Sequence, residues 1–286
     1  MKTILFIIAQ YILPQHALSR LVGKIASCDL PWVKNTLIKR FISHYNVQMH
    51  EAAVENYYEF KNFNAFFTRA LKDGARTIDP SENTFVCPAD GTISQLGEIR
   101  GGDIFQAKGQ SYSAADLLAN EDLAKQFDGG QFATVYLSPK DYHRVHMPIS
   151  GKLISQTYVP GQLFSVNGAT AENVPGLFAR NERLIALFDT EVGPVAMVLV
   201  GAMIVAGIET VWSGQVAPPP KTAQTTQYDK VEPVKLNKGD EMGRFMLGST
   251  VILLFPKDTV EFDAGYQANT PTRMGQLLGQ SKTQAS

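Results

Sequence analysis

The rhythm of hydrophobic and polar positions changes partway along this chain. From Thr3 to Leu13 apolar residues run almost unbroken, with Gln10 as the interruption and Pro14 as the stop. Leu18, Leu21, Val22 and Ile25 then recur at helical spacing, with Arg20 and Lys24 off the stripe. Val33, Leu37, Ile38, Phe41 and Ile42 repeat the pattern beside Lys34, Lys39 and Arg40. Residues three and four apart share one face of a helix. The spacing therefore predicts helices over 16–26 and 33–42, separated by Pro31 with Trp32 at the joint. Residues 51–72 also read as helical, and Asn62 or Asn64 is suited to cap a turn around Phe63, Phe66 and Phe67. Those three aromatics read as core.

From Thr84 onward the pattern is that of strands. Short apolar runs at 92–97, 132–137, 151–154, 184–188, 196–200 and 251–255 are punctuated by Gly and Pro. Regular short strands of this kind predict a mainly antiparallel barrel or sandwich-like body. Ser113 is placed to open a helix running to Lys125, Arg76 to Glu82 reads as a linker, and 217–227 as a flexible loop. The expected fold class is α+β: amphipathic helices over 1–45, a β-rich catalytic domain over 46–266, and a polar tail, 267–286, too poor in apolar residues to be expected to order. No internal repeat and no Gly-rich phosphate loop is visible.

Charge sharpens the reading of the front end. The whole chain carries a net charge of -1, which gives no ground for a nucleic-acid partner. Its first fifty residues hold Lys2, Arg20, Lys24, Lys34, Lys39 and Arg40 against the single acid Asp29, so the remainder is acidic. Basic amphipathic helices with an aromatic anchor lie on anionic membrane surfaces; the alternative is that their stripes dock on the protein's own core. The apolar run before Pro14 is shorter than the ~20 residues a spanning helix needs. Lys2 ahead of that run and Ala17-Leu18-Ser19 after it give a weak signal-peptide pattern, against which the basic helices that follow argue retention. Cys28 and Cys87 have no metal spacing and form no disulfide framework; they read as reduced thiols.

Three short stretches carry candidate chemistry. Leu247-Gly248-Ser249-Thr250 lies between a charged, glycine-spaced turn, 238–243, and the strand-forming run at 251–255. A Gly-Ser bond there is a place for a chain to cut itself, although Gly-Ser is also an ordinary turn. Ser249 lacks the Gly-x-Ser-x-Gly elbow of the α/β-hydrolases. His143 and His146, three apart between Ser138-Pro139 and Pro148, admit three readings: structural histidines, two ligands of a zinc site that wants a third, or acid–base groups titrating near pH ~6.5. Asp90, in Pro88-Ala89-Asp90-Gly91-Thr92, is either a turn residue or the orienting acid of a Ser-His-Asp set.

These blocks together resemble the pyruvoyl-dependent phosphatidylserine decarboxylases of the bacterial and mitochondrial type. The resemblance runs from Asn62-Phe63-Asn64-Ala65-Phe66-Phe67-Thr68-Arg69 through Pro88 to Gly91, Asp141 to Pro148, Val159 to Asn167, Leu177 to Arg183, Val200-Gly201-Ala202 and Lys238 to Phe245, and closes on Leu247 to Thr250. It implies a proenzyme cut between Gly248 and Ser249. In that reading His146 takes the Ser249 hydroxyl proton while Asp90 holds the imidazole, and the Ser249 oxygen attacks the Gly248 carbonyl. Ser249 then becomes a covalent pyruvoyl group, the Schiff-base site for the lipid amine. His143 is the candidate acid that reprotonates the substrate carbon, with Asp141 and Tyr142 expected to position it. The products would be a large chain, 1–248, paired with a small chain, 249–286, with a dimer of such pairs as a further expectation. The implied substrate is phosphatidylserine, converted to phosphatidylethanolamine and carbon dioxide at the cytoplasmic face of a bacterial inner membrane; no Arg- and Ser-rich transit segment points to mitochondria. No metal is implied. Pro160 to Asn167 is expected to lie beside the site. Two other classes fit some features: a β-rich zinc peptidase using His143 and His146, which would carry stoichiometric zinc, and a non-catalytic membrane-docking module, which would stay one chain.

Overall fold

The computed structural model describes residues 2–203, 207–216, 221–228, 233–246 and 249–282, with Lys2 and Ser249 described by their backbone alone. Leu247, Gly248 and the proline run 218–220 lie outside the described residues.

The front end is helical as its spacing predicts: α1 (Lys2–Ile12), α2 (Gln15–Ala26) and α3 (Pro31–Tyr45). Pro31 sits in the first turn of α3, where a missing N–H costs nothing, and Asn46 closes that helix with φ 53. Ile38 of α3 and Ala26 of α2 bury against Phe60, Phe63, Phe66 and Phe67, forming an apolar cluster of their own.

Residues 51–72 depart from the helical expectation. Only α4 (Phe63–Phe67) is α-helical there, with single 3-10 turns at Met49–Glu51 and Tyr57–Glu59. Asparagine side chains explain the interruption. Asn56 accepts from Tyr58 N at 3.2 Å and Asn62 from Ala65 N at 2.9 Å, and such local bonds start new turns rather than continue old ones. The helix expected over 113–125 is likewise split into α5 (Ala114–Leu118) and α6 (Glu121–Lys125). Ser113 caps the first as expected; Ala119 turns left-handed at φ 50, and Asn120 caps the second.

The remaining body is antiparallel sheet. Its strands, in order, are β1 (Thr84–Val86), β2 (Gly91–Glu98), β3 (Asp103–Ala107), β4 (Gln110–Ser113), β5 (Gln131–Leu137), β6 (Arg144–His146) and β7 (Gly151–Val159). After two short helices, α7 (Gly168–Asn173) and α8 (Leu177–Arg180), come β8 (Arg183–Thr190), β9 (Gly193–Gly201), β10 (Ile208–Thr210), β11 (Gly214–Gln215), β12 (Gln224–Gln227) and β13 (Lys235–Leu236). The last five are β14 (Glu241–Phe245), β15 (Ser249–Phe255), β16 (Val260–Phe262), β17 (Pro271–Thr272) and β18 (Leu277–Ser281). The main sheet runs β12-β7-β8-β9-β15-β5-β2-β17, with β13 also on β7. Smaller sheets run β11-β10-β14-β6 and β1-β18-β16. Among the described residues no sheet closes on itself, so the α+β class holds and the barrel form does not.

Alternation along the central strands gives the main sheet two buried faces. Leu137, Leu184, Leu199, Val251 and Leu253 belong to one core, and Ile185, Val198, Val200, Ile252 and Leu254 to the other. β15 lies between β5 and β9, with Ser249 opposite Leu137 on one side and Gly201 on the other. Gly91 begins β2 against β5 so closely that a Cβ there would stand 2.3 Å from the Tyr136 carbonyl oxygen. The residue after Asp90 must therefore be glycine.

Two segments expected to lack structure are built into sheets. β12, within the stretch expected as a loop, pairs along β7, and its Thr225 hydroxyl meets that of Thr157 at 2.9 Å. The expected tail supplies β17 on β2 and β18 between β1 and β16. Met274 and Leu278 are buried; a few well-placed apolar residues and short ladders to β2, β1 and β16 order a segment whose composition is polar. Leu278→Ala should accordingly cost about 2–5 kcal/mol, as for other buried leucines, measured as a fall in the urea midpoint at unchanged m-value. A cost under ~0.5 kcal/mol, as for an exposed site, would contradict this packing.

Candidate active site

The end of β5 and the start of β15 meet at Leu137 and Ser249, so the chain leaving β5 begins beside the expected cleavage point. It turns at once. The Asp141 carboxylate accepts from both the backbone N and the hydroxyl of Ser138 at 2.7 Å, and Asp141 N donates to Ser138 O. This turn, followed by β6, delivers both histidines. His143 donates from Nδ1 to the Asp141 carbonyl at 2.8 Å. His146, on β6, donates from Nδ1 to the Gly239 carbonyl at 2.8 Å. A carbonyl can only accept, so both rings are fixed in the Nδ1–H tautomer and both Nε2 atoms present a lone pair. The Tyr142 hydroxyl donates to the Nε2 of His146 at 3.1 Å, while the buried Nε2 of His143 has no partner among the described residues.

Burial sets the charge of this pair. His143 is fully enclosed and packs its ring on Phe67, with centroids 4.0 Å apart. Desolvation, together with the nearby Arg69 charge, holds its pKa down to about 3 against the lift from the Asp141 carbonyl. Desolvation also lowers that of His146, opposed by the Gly239 carbonyl and the Glu241 charge. Both rings are neutral bases at physiological pH. Burial pushes the Tyr142 phenol up to about 12, so its hydroxyl keeps its proton and donates.

Asp90 stands close by but is engaged elsewhere. Arg76 Nε donates to its two oxygens at 2.9 and 3.1 Å, Arg76 Nη2 donates to Oδ2, and Met274 N donates to Oδ1 at 2.9 Å. Among the described residues no hydrogen bond joins Asp90 to His146. The guanidinium fork matches a carboxylate edge better than one imidazole N–H can, and Gly239 already takes that N–H. The loop holding Asp90 still touches the histidine strand, because His146 N donates to Pro88 O at 2.8 Å. The expected positioning of His143 also divides: Asp141 does it through its carbonyl, whereas Tyr142 reaches His146.

Several functional contacts were not legible in the sequence. Arg76 fell in an apparent linker, yet its side chain is 6% exposed and also binds Glu51 at 2.7 Å. Arg69 is buried beside the histidines. It donates to Lys140 O at 3.2 Å and, among the described residues, leaves Nε and Nη1 without partners, and burial lowers its pKa to about 10. Together with Tyr45, Gln48, Arg76, Asp90 and Tyr142 it lines a cleft of about 220 Å³. On the other side, β6 is clamped to β14 by Arg144, which bonds Glu241 at 2.8 Å and Thr68 O at 2.9 Å. Among the described residues no group of three or more His, Cys, Asp or Glu is placed to hold a metal ion, which leaves a zinc reading of His143 and His146 without a third ligand. Cys28 and Cys87 are unpaired thiols, Cys87 buried and within 3.2 Å of the Tyr266 hydroxyl.

Known proteins share this arrangement of segments. A family model described as phosphatidylserine decarboxylase matches residues 63–280, and a second, described as PSD, matches 5–46. A protein of Stutzerimonas stutzeri (strain A1501) named phosphatidylserine decarboxylase proenzyme is 58% identical over 289 residues, covering 100% of this chain and 97% of that one. A Pseudomonas aeruginosa protein of the same name (strain PAO1) is 58% identical over 284 residues, covering 98% of each chain. One from Azotobacter vinelandii (strain DJ) is 56% identical, over 98% of this chain and 99% of its own. A sequence matched from end to end by decarboxylases defines an enzyme of the lyase class. The chain belongs to the phosphatidylserine decarboxylase family.

The depressed pKa of His143 makes stability depend on pH. Below the ordinary value of 6.5 the unfolded chain binds a proton that the folded chain refuses until about 3, so stability must fall as pH drops through that window. His143→Asn keeps a donor for the Asp141 carbonyl and removes the titration. Urea midpoints measured from pH 7 to pH 4.5 should fall less steeply in the variant than in the wild type. Parallel slopes would place the proton elsewhere.

Proposed function

We propose that this chain is a self-processing, pyruvoyl-dependent decarboxylase that converts phosphatidylserine to phosphatidylethanolamine and carbon dioxide at a membrane surface. The observation that supports the reading is the placement of Ser249 at the start of β15 opposite Leu137, the residue from which the chain turns toward two histidines whose Nδ1–H groups are held by backbone carbonyls, leaving each Nε2 a lone pair.

In this reading His146 is the base of self-cleavage. Its Nε2 takes the Ser249 hydroxyl proton once Tyr142 yields that position, and the Gly239 carbonyl steadies the imidazolium that forms. Asp90 contributes charge from behind Arg76 rather than a direct bond. The freed oxygen attacks the Gly248 carbonyl, giving an ester in place of the amide. Loss of the Ser249 α-proton then expels the Gly248 carboxylate, and hydrolysis of the resulting dehydroalanine releases ammonia and leaves a keto group at the new amino terminus. Among the described residues the buried Nε2 of His143 has no partner, which suits a base with a free lone pair. When formed, the pyruvoyl group supplies an electron sink for the pair released with carbon dioxide. His143 is the proton carrier for the substrate carbon. It is neutral in the free protein, and an arriving carboxylate and phosphodiester favour its charged form, as opposite charge does for any buried base.

The helical front end supports a membrane-facing role. Ile4, Leu5, Ile12, Leu21 and Trp32 are each more than half exposed. Among the described residues no helix is long and apolar enough to cross a membrane, which suits helices lying in the interface. They are tied to the catalytic body, since Gln10 Oε1 accepts from Ser165 N at 2.9 Å and Gln15 Oε1 from Leu163 N at 2.7 Å. The surface that meets lipid is thereby linked to the 160–167 loop.

Denaturing electrophoresis with intact mass should show purified protein as chains 1–248 and 249–286, the smaller blocked to Edman chemistry, and Ser249→Ala as one whole chain. His143→Ala should still cut itself and lose lipid turnover by ~10²-fold or more. A His143→Ala protein that stays uncut, or that turns lipid over normally, would refute the division of labour. Removing residues 2–42 should release the enzyme from anionic liposomes in a flotation assay; undiminished flotation in high salt would count against an interfacial front end.

A further inference from the structure

Resting on that reading, the structure assigns a catalytic role to a residue outside the histidine block: we propose that Glu182 ferries protons between the substrate's amine nitrogen and the keto oxygen at Ser249. Gly201 lies opposite Ser249 across β9 and β15, and Gly201 N donates to Glu182 O at 2.8 Å. Glu182, Gly201, Ser249 and Leu137 thus form one row across four neighbouring strands. Glu182 precedes β8 in the same alternation as Leu184 and Ala186, and Tyr158, opposite Leu184, lies beside it.

Gly201 is what opens the path. With no Cβ, it leaves Leu163 as the nearest side chain among the described residues, 3.8 Å from where a Cβ would stand. Two strand spacings separate the Cα atoms of Glu182 and Ser249, roughly 10 Å, and the register puts both positions on one face of the sheet, so a substrate amine brought to that face has Glu182 on its β8 flank. Glu182 is 6% exposed and, among the described residues, forms no ion pair. The groups that face it are the Tyr158 hydroxyl on β7 and His16 on α2; burial raises its pKa, opposed by these two. A carboxyl moved toward neutrality is suited to taking and returning a proton.

The chemistry needs such a group. A primary ammonium that condenses with a keto carbon must give two protons to the oxygen that departs as water. Two N–H bonds and the C=O double bond break, while a C=N double bond and two O–H bonds form. Glu182 as carboxylate takes each proton from nitrogen in turn, passes it to oxygen, and ends as it began. The histidines stand on the β5 side of Ser249 and Glu182 on the β9 side, so the proton for carbon and the protons for oxygen have separate carriers.

The test uses the full chain, wild type and Glu182→Gln, mixed with phosphatidylserine vesicles and cyanoborohydride. Intact mass reports the lipid amine captured on the small chain. Glu182→Gln should cut itself and melt like the wild type, yet capture lipid ~10²-fold more slowly, with Glu182→Asp in between. Capture by Glu182→Gln at the wild-type rate, or failure of a folded Glu182→Gln to cut itself, overturns the proposal. If Glu182→Gln does not fold, Glu182→Asp decides: slowed capture supports the role and an unchanged rate overturns it. A wild-type chain that itself stays whole sinks the parent reading as well, an outcome distinct from the others.

Discussion

Two backbone carbonyls fix the protonation of the buried histidine pair. Those of Asp141 and Gly239 each hold a histidine Nδ1–H at 2.8 Å, and a carbonyl cannot exchange roles with its donor. A carboxylate partner would pull the imidazole toward its charged form; a carbonyl orients the ring with far less pull, so burial can keep it neutral. Each carbonyl is placed by a turn that the sheets fix. Asp141 closes on Ser138 at the end of β5, and the Gly239 turn precedes β14, whose pairing with β6 sets Glu241 opposite His146. The orientation of the histidine pair is therefore a product of strand register, and shifts in β6 or β14 would turn the rings before they cost the fold.

The second constraint is the Arg76–Asp90 pair. Removing one partner of a buried ion pair costs about 3–5 kcal/mol, because the other charge is stranded. Here the pair joins the segment before β1, the turn before β2, and the backbone of Met274 in the carboxy-terminal region. That arrangement bears on cleavage. β15 is flanked by β5 and β9 along its length, and Val251 to Phe255 are fully buried. A cut before Ser249 leaves this strand held on both sides, and β17 and β18 add anchors farther along. Chain scission and structural integrity are thus separated: one peptide bond can be lost while the sheet remains.

How much of this was readable in the sequence depends on where the information resides. Strands such as 132–137, 196–200 and 251–255 were legible because a strand buried on both faces is a continuous apolar run. α2 and α3 were legible from their stripes. Ser249, His143, His146 and Asp90 stand out in the sequence as residue types that the proposed chemistry needs. The partners that define their states do not. Gly239 and Asp141 act through carbonyls and Met274 through an amide, groups every residue carries, so no letter of the sequence marks them. Arg76 sits in an irregular segment with no periodicity to signal burial. Glu182 is exposed as unusual only once β8, β9 and β15 are laid side by side. The carboxy-terminal strands escaped notice because composition reports average polarity, while order there depends on Met274, Leu278 and ladder hydrogen bonds.

The tautomers of the two histidines are the most direct test of the account. Nitrogen-15 NMR of the imidazole rings in uncut Ser249→Ala protein at pH 7 reads each nitrogen's proton separately. The account predicts a protonated Nδ1 and a bare Nε2 in both His143 and His146. A proton on Nε2 of either ring, or a charged imidazolium, would contradict it.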